Sequence, residues 1–258
     1  MGLETFKHTT IVYLFYCPDI LTRQELPEEE SQHCVQVLRS VAGDRIMLTD
    51  GRGTIYEAEI TEPHRKHCAF RILRQEQPAP LHSGHVHIAI APTKHMDRLE
   101  WMLEKCTEMG VDEITPVVCR FSERKVVNEE RLQKIIVSAA KQSLKATFPK
   151  LNPLTPVQEL IRGAAEQDKL IAHCMSDDAE NADIQHNYAA SEDKRALQHC
   201  VQKGHSVVIL IGPEGDFSPE ELRLALENGW HGVSLGKARL RTETAGLVAC
   251  HTALLINE

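Results

Sequence analysis

Residues 207–245 constrain the fold of this 258-residue chain more than any other part of it. They open with an uninterrupted aliphatic run, Val207, Val208, Ile209, Leu210 and Ile211, of strand length. A run with no polar alternation reads as a strand covered on both faces, the usual state of a strand in a parallel sheet. The run breaks at Gly212, Pro213, Glu214 and Gly215. Ser218, Pro219, Glu220 and Glu221 follow as a capping box with proline at its first helical position. Phe217 is placed to staple against Leu222, and Gly229 ends the helix. A second short strand leads to Leu235 and Gly236, and a polar segment from Leu240 to Ala245 opens the last helix. Glycines after the first strand permit positive φ and close ligand approach. The spacing is not the dinucleotide-binding GxGxxG, and no Walker lysine follows. Two tight loops, each after a strand, frame a small-molecule pocket made largely of backbone.

The rest of the chain divides at residues 75–84, QEQPAPLHSG, where two prolines and a glycine interrupt any periodicity. Residues 1–75 read as a small β-rich domain. A strand is expected over 9–15, a hairpin turns at Asp50, Gly51, Arg52 and Gly53, and a further strand covers 68–73. A short helix over 27–38 lies between them, and several short strands around one core point to a compact barrel. From residue 84 to 258 strands alternate with helices. Strands are expected at 87–91, 114–119, 170–175 and 207–211. A helix over 97–109 is stopped by Gly110, and another, capped by Asn128, runs to 144. This alternation implies a mostly parallel sheet with helices on it. Residues 176–198 read as polar and irregular, with room for a short helix.

The net charge of −8 argues against a nonspecific nucleic-acid coat but leaves room for a local basic face. No apolar run approaches the length of a membrane span. The eight cysteines contain no CxxC pair, so the common zinc and thioredoxin spacings are absent and no metal site is expected. MGLETFKHTT has no secretory pattern, which makes a reduced, cytoplasmic protein the expectation, and Met1-Gly2 reads as a plain initiator followed by a small residue rather than a myristoylation signal. Arg241 and Glu243, directly before an apolar helix, admit two readings. One is a surface ion pair with a threonine cap at Thr242 or Thr244. The other is an arginine held at a ligand or a nucleic-acid phosphate.

Ile211, Gly212, Pro213, Glu214 and Gly215, then Phe217 to Glu221, Ser234 to Gly236 and Leu240 to Ala245, together resemble the RsmE-type 16S rRNA uridine-N3 methyltransferases of the SPOUT class. The resemblance continues upstream in residues 98–111, 114–116, 122–124 and 139–143. It reaches the first domain at His33, Val37, Leu38, Arg39, Gly43 and Asp44. Asp216 departs from it, standing where the family usually has glycine. So do Lys141, for a glutamate, and Leu144 with Lys145, for Gly-Arg.

The resemblance implies an α/β fold: a C-terminal SPOUT trefoil-knot domain over 84–258 beside an N-terminal PUA-like RNA-binding β-barrel over 1–75. It implies S-adenosylmethionine as cofactor, held by Ile211, Gly212, Pro213, Glu214, Gly215, Leu235, Gly236, Leu240, Thr242, Thr244 and Ala245. It implies 16S rRNA or the small ribosomal subunit as partner, and a homodimer. Arg241 is the first candidate to stabilise charge on the uridine, with Glu243 as a base or, preferably, as the group that orients Arg241. RNA contacts fall to Arg39, Arg52, Lys94, Arg98, Arg124, Lys141 and Lys145, each of which is otherwise a solvated surface charge. The competing expectations are a ribose 2′-O methyltransferase, with the same pocket and another acceptor, and an RNA-binding assembly factor without cofactor affinity, for which Asp216 is the feature to examine.

Overall fold

The computed structural model describes residues 13–173 and 195–258. The expectations for Met1-Gly2, for residues 9–12 of the first strand and for 174–194 lie outside them. The described chain forms two compact units.

The first unit runs to Pro80 and takes in Ile136–Phe148. That second segment lies inside the interval 84–258 read from the sequence as the other domain. The unit holds β1 (Leu14–Tyr16), β2 (Arg45–Thr49), β3 (Ile55–Glu62) and β4 (Ala69–Glu76) in the order β1-β2-β3-β4. β1 is parallel to β2, and the other pairs are antiparallel. The hairpin expected at residues 50–53 joins β2 to β3, with Thr49 opposite Ile55. β3 alternates as a one-sided strand should, burying Tyr56, Ala58 and Ile60 in a core with Phe15, Leu48 and Phe70. The expected helix over 27–38 is a short α-helix, α1 (Glu28–Gln32), that widens into a π-turn over His33–Val37. There the Leu38 N–H reaches the His33 carbonyl at 3.0 Å, with Cys34 fully buried and Val37 exposed. The segment after residue 136 is fixed to the β2–β3 turn. Gly53 N–H and Thr49 Oγ1 both donate to the Ala146 carbonyl, and Phe148 N–H donates to the Gly51 carbonyl.

The second unit is a parallel sheet. Its strands are β5 (His85–Ile90), β6 (Glu113–Val118), β7 (Lys150–Leu151), β8 (Thr155–Pro156), β9 (Asp168–Ala172), β10 (Arg195–Ala196), β11 (Ser206–Ile211) and β12 (His231–Ser234). The order across it is β10-β12-β9-β11-β5-β6-β7, with β8 also on β6. β11, the aliphatic run of the sequence, lies between β9 and β5, and Val207 to Ile211 are all buried. The helices are α2 (Met96–Met109), α3 (Glu129–Gln142), α4 (Val157–Gly163), α5 (Pro219–Glu227) and α6 (Thr242–Asn257), with α3 passing into the first unit at Ile136. α2 buries Leu99, Met102, Leu103 and Cys106 and ends at Gly110 in the left-handed region. Asn128 Oδ1 caps α3 by accepting the Arg131 N–H at 3.0 Å. The capping box at Ser218 is complete, and Phe217 joins the core against which Leu222 packs.

α6 leaves the sheet beyond β12 and returns to pack on α2, β5 and β11. Gly246 permits this, since a Cβ there would lie 2.8 Å from Ile90 Cδ1. Its far end is pinned by Asn257, which is 1% exposed. Asn257 accepts from Ser83 N–H at 3.0 Å, Ser83 Oγ at 2.8 Å and Gly204 N–H at 2.8 Å. Among the described residues no helix is long and apolar enough to cross a membrane.

Candidate active site

Parallel sheets bind ligands beyond the carboxyl ends of their strands. Among the described residues of the second unit, the loops 91–95 after β5, 119–124 after β6, 212–217 after β11 and 235–241 after β12 meet that description. Neighbours in the sheet hold the first three close together. Glu214 Oε1 accepts the Lys94 N–H at 3.0 Å, while the Arg124 guanidinium donates to the Lys94 carbonyl at 3.3 Å. Arg98, one turn further along, has Nε 3.9 Å from Glu243 Oε1 at the start of α6. The short segment 94–98 therefore touches both halves of the motif read from the sequence.

The cofactor residues expected there divide by exposure. Ile211, Gly212, Pro213 and Thr242 are buried. Leu235, Leu240, Thr244 and Ala245 are half-buried, and Glu214, Gly215 and Gly236 are exposed. Leu235 and Gly236 lie just past β12, where Gly236 N–H donates to Ser234 Oγ at 3.2 Å. Gly236 has φ +116°, and a Cβ there would meet no heavy atom within 4 Å, so its backbone faces open space.

Three expectations need correction. Gly212 and Gly215 do not carry the positive φ of their turn; Asp216 does, at φ 62°. The two glycines are required by packing instead. A Cβ on Gly212 would lie 2.9 Å from the Phe217 ring, and one on Gly215 would lie 3.0 Å from Phe121 Cβ. α6 has no threonine cap: Arg241 occupies the cap position without a side-chain bond, and Thr242 is already helical. Glu243 does not pair with Arg241; its side chain, 10% exposed, faces Arg98, while Arg241 is exposed. Burial explains the choice, since a nearly enclosed carboxylate gains more from a half-buried cation than from one in water.

Asp216 turns one carboxylate oxygen back on its own turn. Aspartate tolerates the left-handed region better than most residues because its side chain bonds locally. Here Oδ1 accepts the Phe217 N–H at 2.9 Å, and the Asp216 N–H closes the turn on the Pro213 carbonyl at 2.9 Å. Replacing it with glycine gives up the bond from the Phe217 N–H and gains conformational ease. Asp216→Gly should change stability by less than about 1 kcal/mol, whereas Asp216→Val should cost about 2 kcal/mol or more. Urea unfolding of the two variants checks the difference.

The expected RNA contacts fall in both units. In the first, Arg39 and Arg52 are exposed, Arg39 with φ 58° and Arg52 bonded to the Pro18 carbonyl at 3.0 Å. Lys145 is half-buried. Lys141 departs from the expectation, because its ammonium is committed to the buried carboxylate of Glu30. In the second unit Lys94 pairs with Glu123 at 3.0 Å, both largely exposed, and Arg124 is exposed. Two cations outside that set, Arg120 and Lys125, line a cleft of about 600 Å³ with Val118, Leu154, Pro156 and Gln158. Neither stands in a sequence motif, so the sequence offered no signal for them. Among the described residues no group of histidine, cysteine and acidic side chains could hold a metal ion.

Residues 80–254 match the RNA methyltransferase domain family, and residues 26–73 match the RNA methyltransferase PUA domain. The chain belongs to the RNA methyltransferase domain family. Within it, the chain is 27% identical over 228 residues to Ribosomal RNA small subunit methyltransferase E of Rickettsia conorii, covering 87% of this chain and 86% of that protein. Among solved structures, a probable rRNA-methyltransferase from Porphyromonas gingivalis superposes with a TM-score of 0.86 at 42% identity, covering 95% of this chain and 98% of the other. Ribosomal RNA small subunit methyltransferase E from Neisseria gonorrhoeae, bound to S-adenosyl methionine, superposes with a TM-score of 0.76 at 27% identity, covering 93% and 96%. The family resemblance read from residues 211–245 thus holds along nearly the whole chain.

Proposed function

We propose that this protein is an S-adenosylmethionine-dependent methyltransferase that methylates N3 of a uridine in small-subunit ribosomal RNA. The observation that carries the reading is the convergence of loop 212–215 and the start of α6 on residues 94–98, at the carboxyl ends of adjacent parallel strands. Likeness to a relative solved with S-adenosyl methionine supports the choice of cofactor.

The residues fit such a group. Loop 212–215 and Leu235–Gly236 offer backbone N–H and C=O groups for an adenine edge, and half-buried Leu235 and Leu240 offer apolar walls. When bound, the cofactor supplies an activated methyl group. The chain's own task is to orient the uridine and to hold the negative charge left when N3 loses its proton. Arg241, exposed at the N-terminus of α6, serves that charge. Glu243, engaged with Arg98, holds the neighbouring wall and is not the proton acceptor.

The finer architecture follows the same reading. β11 is inserted between β9 and β5, both laid down earlier, and α6 returns from edge-side β12 to the sheet centre; these support a trefoil-knotted SPOUT domain. The first unit is its PUA-like barrel, and action on ribosomal RNA supports a cytoplasmic location. Leu255, exposed on an α6 rich in Ala, Leu and Val, supports a homodimer through that helix.

Calorimetry with S-adenosylmethionine tests the cofactor, and absence of binding would sink the proposal. Nucleoside mass spectrometry of small-subunit rRNA from deletion and complemented strains tests the acceptor. The expected result is loss and return of 3-methyluridine. Loss of a ribose-methylated nucleoside would assign the ribose 2′-O acceptor instead.

A further inference from the structure

We infer that Glu221 is a positioning residue for the cofactor site, setting loop 119–124 against Gly215 in addition to capping α5. The inference rests on the reading of loop 212–215 as a cofactor loop.

A capping box uses one carboxylate oxygen, which accepts the N-cap N–H. Glu221 Oε2 does this at the Ser218 N–H, 2.8 Å away. Its other oxygen, Oε1, accepts the Arg120 N–H, also at 2.8 Å, across 101 residues of sequence. The carboxylate is 2% exposed in a residue type almost never buried unless paired, and here two backbone donors satisfy it. What it holds is a tight turn. Cys119 N–H donates to Ser122 Oγ at 3.0 Å, and Ser122 N–H returns to the Cys119 carbonyl at 3.1 Å. Burial, with the negative charge of Glu221 beside it, pushes the Cys119 thiol well above its usual range. The turn presents Phe121, whose Cβ stands where a Cβ on Gly215 would come within 3.0 Å. One carboxylate thus fixes the start of α5, directly after the cofactor loop, and the neighbouring loop that packs on Gly215.

A glutamine at 221 has one carbonyl oxygen for two N–H groups and turns an NH₂ against the other. Calorimetry and steady-state kinetics on wild type, Ser218→Ala and Glu221→Gln separate positioning from capping. Ser218→Ala loses only the cap, so its melting temperature should fall while its Kd for S-adenosylmethionine stays within about twofold of wild type. Glu221→Gln should raise that Kd about tenfold, with kcat at saturating cofactor within about twofold. An unchanged Kd in Glu221→Gln, or equal losses in the two variants, would overturn the inference. If Glu221→Gln does not fold, Arg120→Pro deletes the N–H donor and keeps the cap, and an unchanged Kd there has the same force. Failure of wild type to bind S-adenosylmethionine would instead overturn the reading of the site, and the inference with it.

Discussion

Arg241→Ala should lower turnover about a hundredfold or more while leaving the Kd for S-adenosylmethionine within about threefold. Loss of one electrostatic donor aimed at developing charge has that scale in other active sites. The side chain is exposed at the cap position of α6 and makes no side-chain cap bond, so its removal should cost the fold little. Arg98→Ala is the informative contrast. It strands the nearly buried Glu243 carboxylate, so it should raise the cofactor Kd and lower the melting temperature together. Single-turnover rates and calorimetry on both variants decide the matter. Equal losses of affinity and rate in Arg241→Ala would move that arginine from the uridine to the cofactor.

The largest effect on stability should come from a residue far from the chemistry. Gly84 has φ +72°, and a Cβ there would lie 2.3 Å from the His205 carbonyl oxygen and 3.0 Å from Asn257 Oδ1. A side chain in the left-handed region costs about 1–2 kcal/mol. Overpacking against backbone that cannot swing aside adds about 1–3 kcal/mol. Gly84→Ala should therefore destabilise the second unit by about 3 kcal/mol, a fall in melting temperature of roughly 10 °C. Gly163→Ala is the control, because a Cβ there meets nothing within 4 Å and its φ is not positive; its shift should stay below about 2 °C. A Gly84→Ala protein that melts with wild type would mean that the 83–84 and 204–205 turns yield, and that Asn257 pins nothing.

What could be read in advance follows the range over which each feature is determined. The capping box at Ser218, the Asn128 cap and the Gly110 stop are settled by residues within a turn of each other, and each was readable. So was β11, since five consecutive aliphatic residues have few other homes. The π-turn at His33–Val37 has no local signature in the sequence; within it Cys34 is buried in the core of the first unit. The partners of Glu243, Lys141 and Glu221 lie far away in sequence, so a local pattern could suggest a function for each residue but not its company. Asp216 is the converse case. Marked from the sequence only as a departure from the family's glycine, it carries the positive φ of its turn and accepts the Phe217 N–H.

The strand order also bears on how the molecule comes into being. β5 is almost wholly buried in the finished sheet, and its neighbour on one side is β11. Synthesis delivers β5 long before β11, with β6, β7, β8, β9 and β10 made in between. Throughout that interval β5 presents an unpaired, apolar edge, the kind of surface on which nascent chains join one another. Slowed translation between β9 and β11 would lengthen that exposure. Yield in the cell should then depend on the chaperones that shield this edge as well as on the stability of the finished fold.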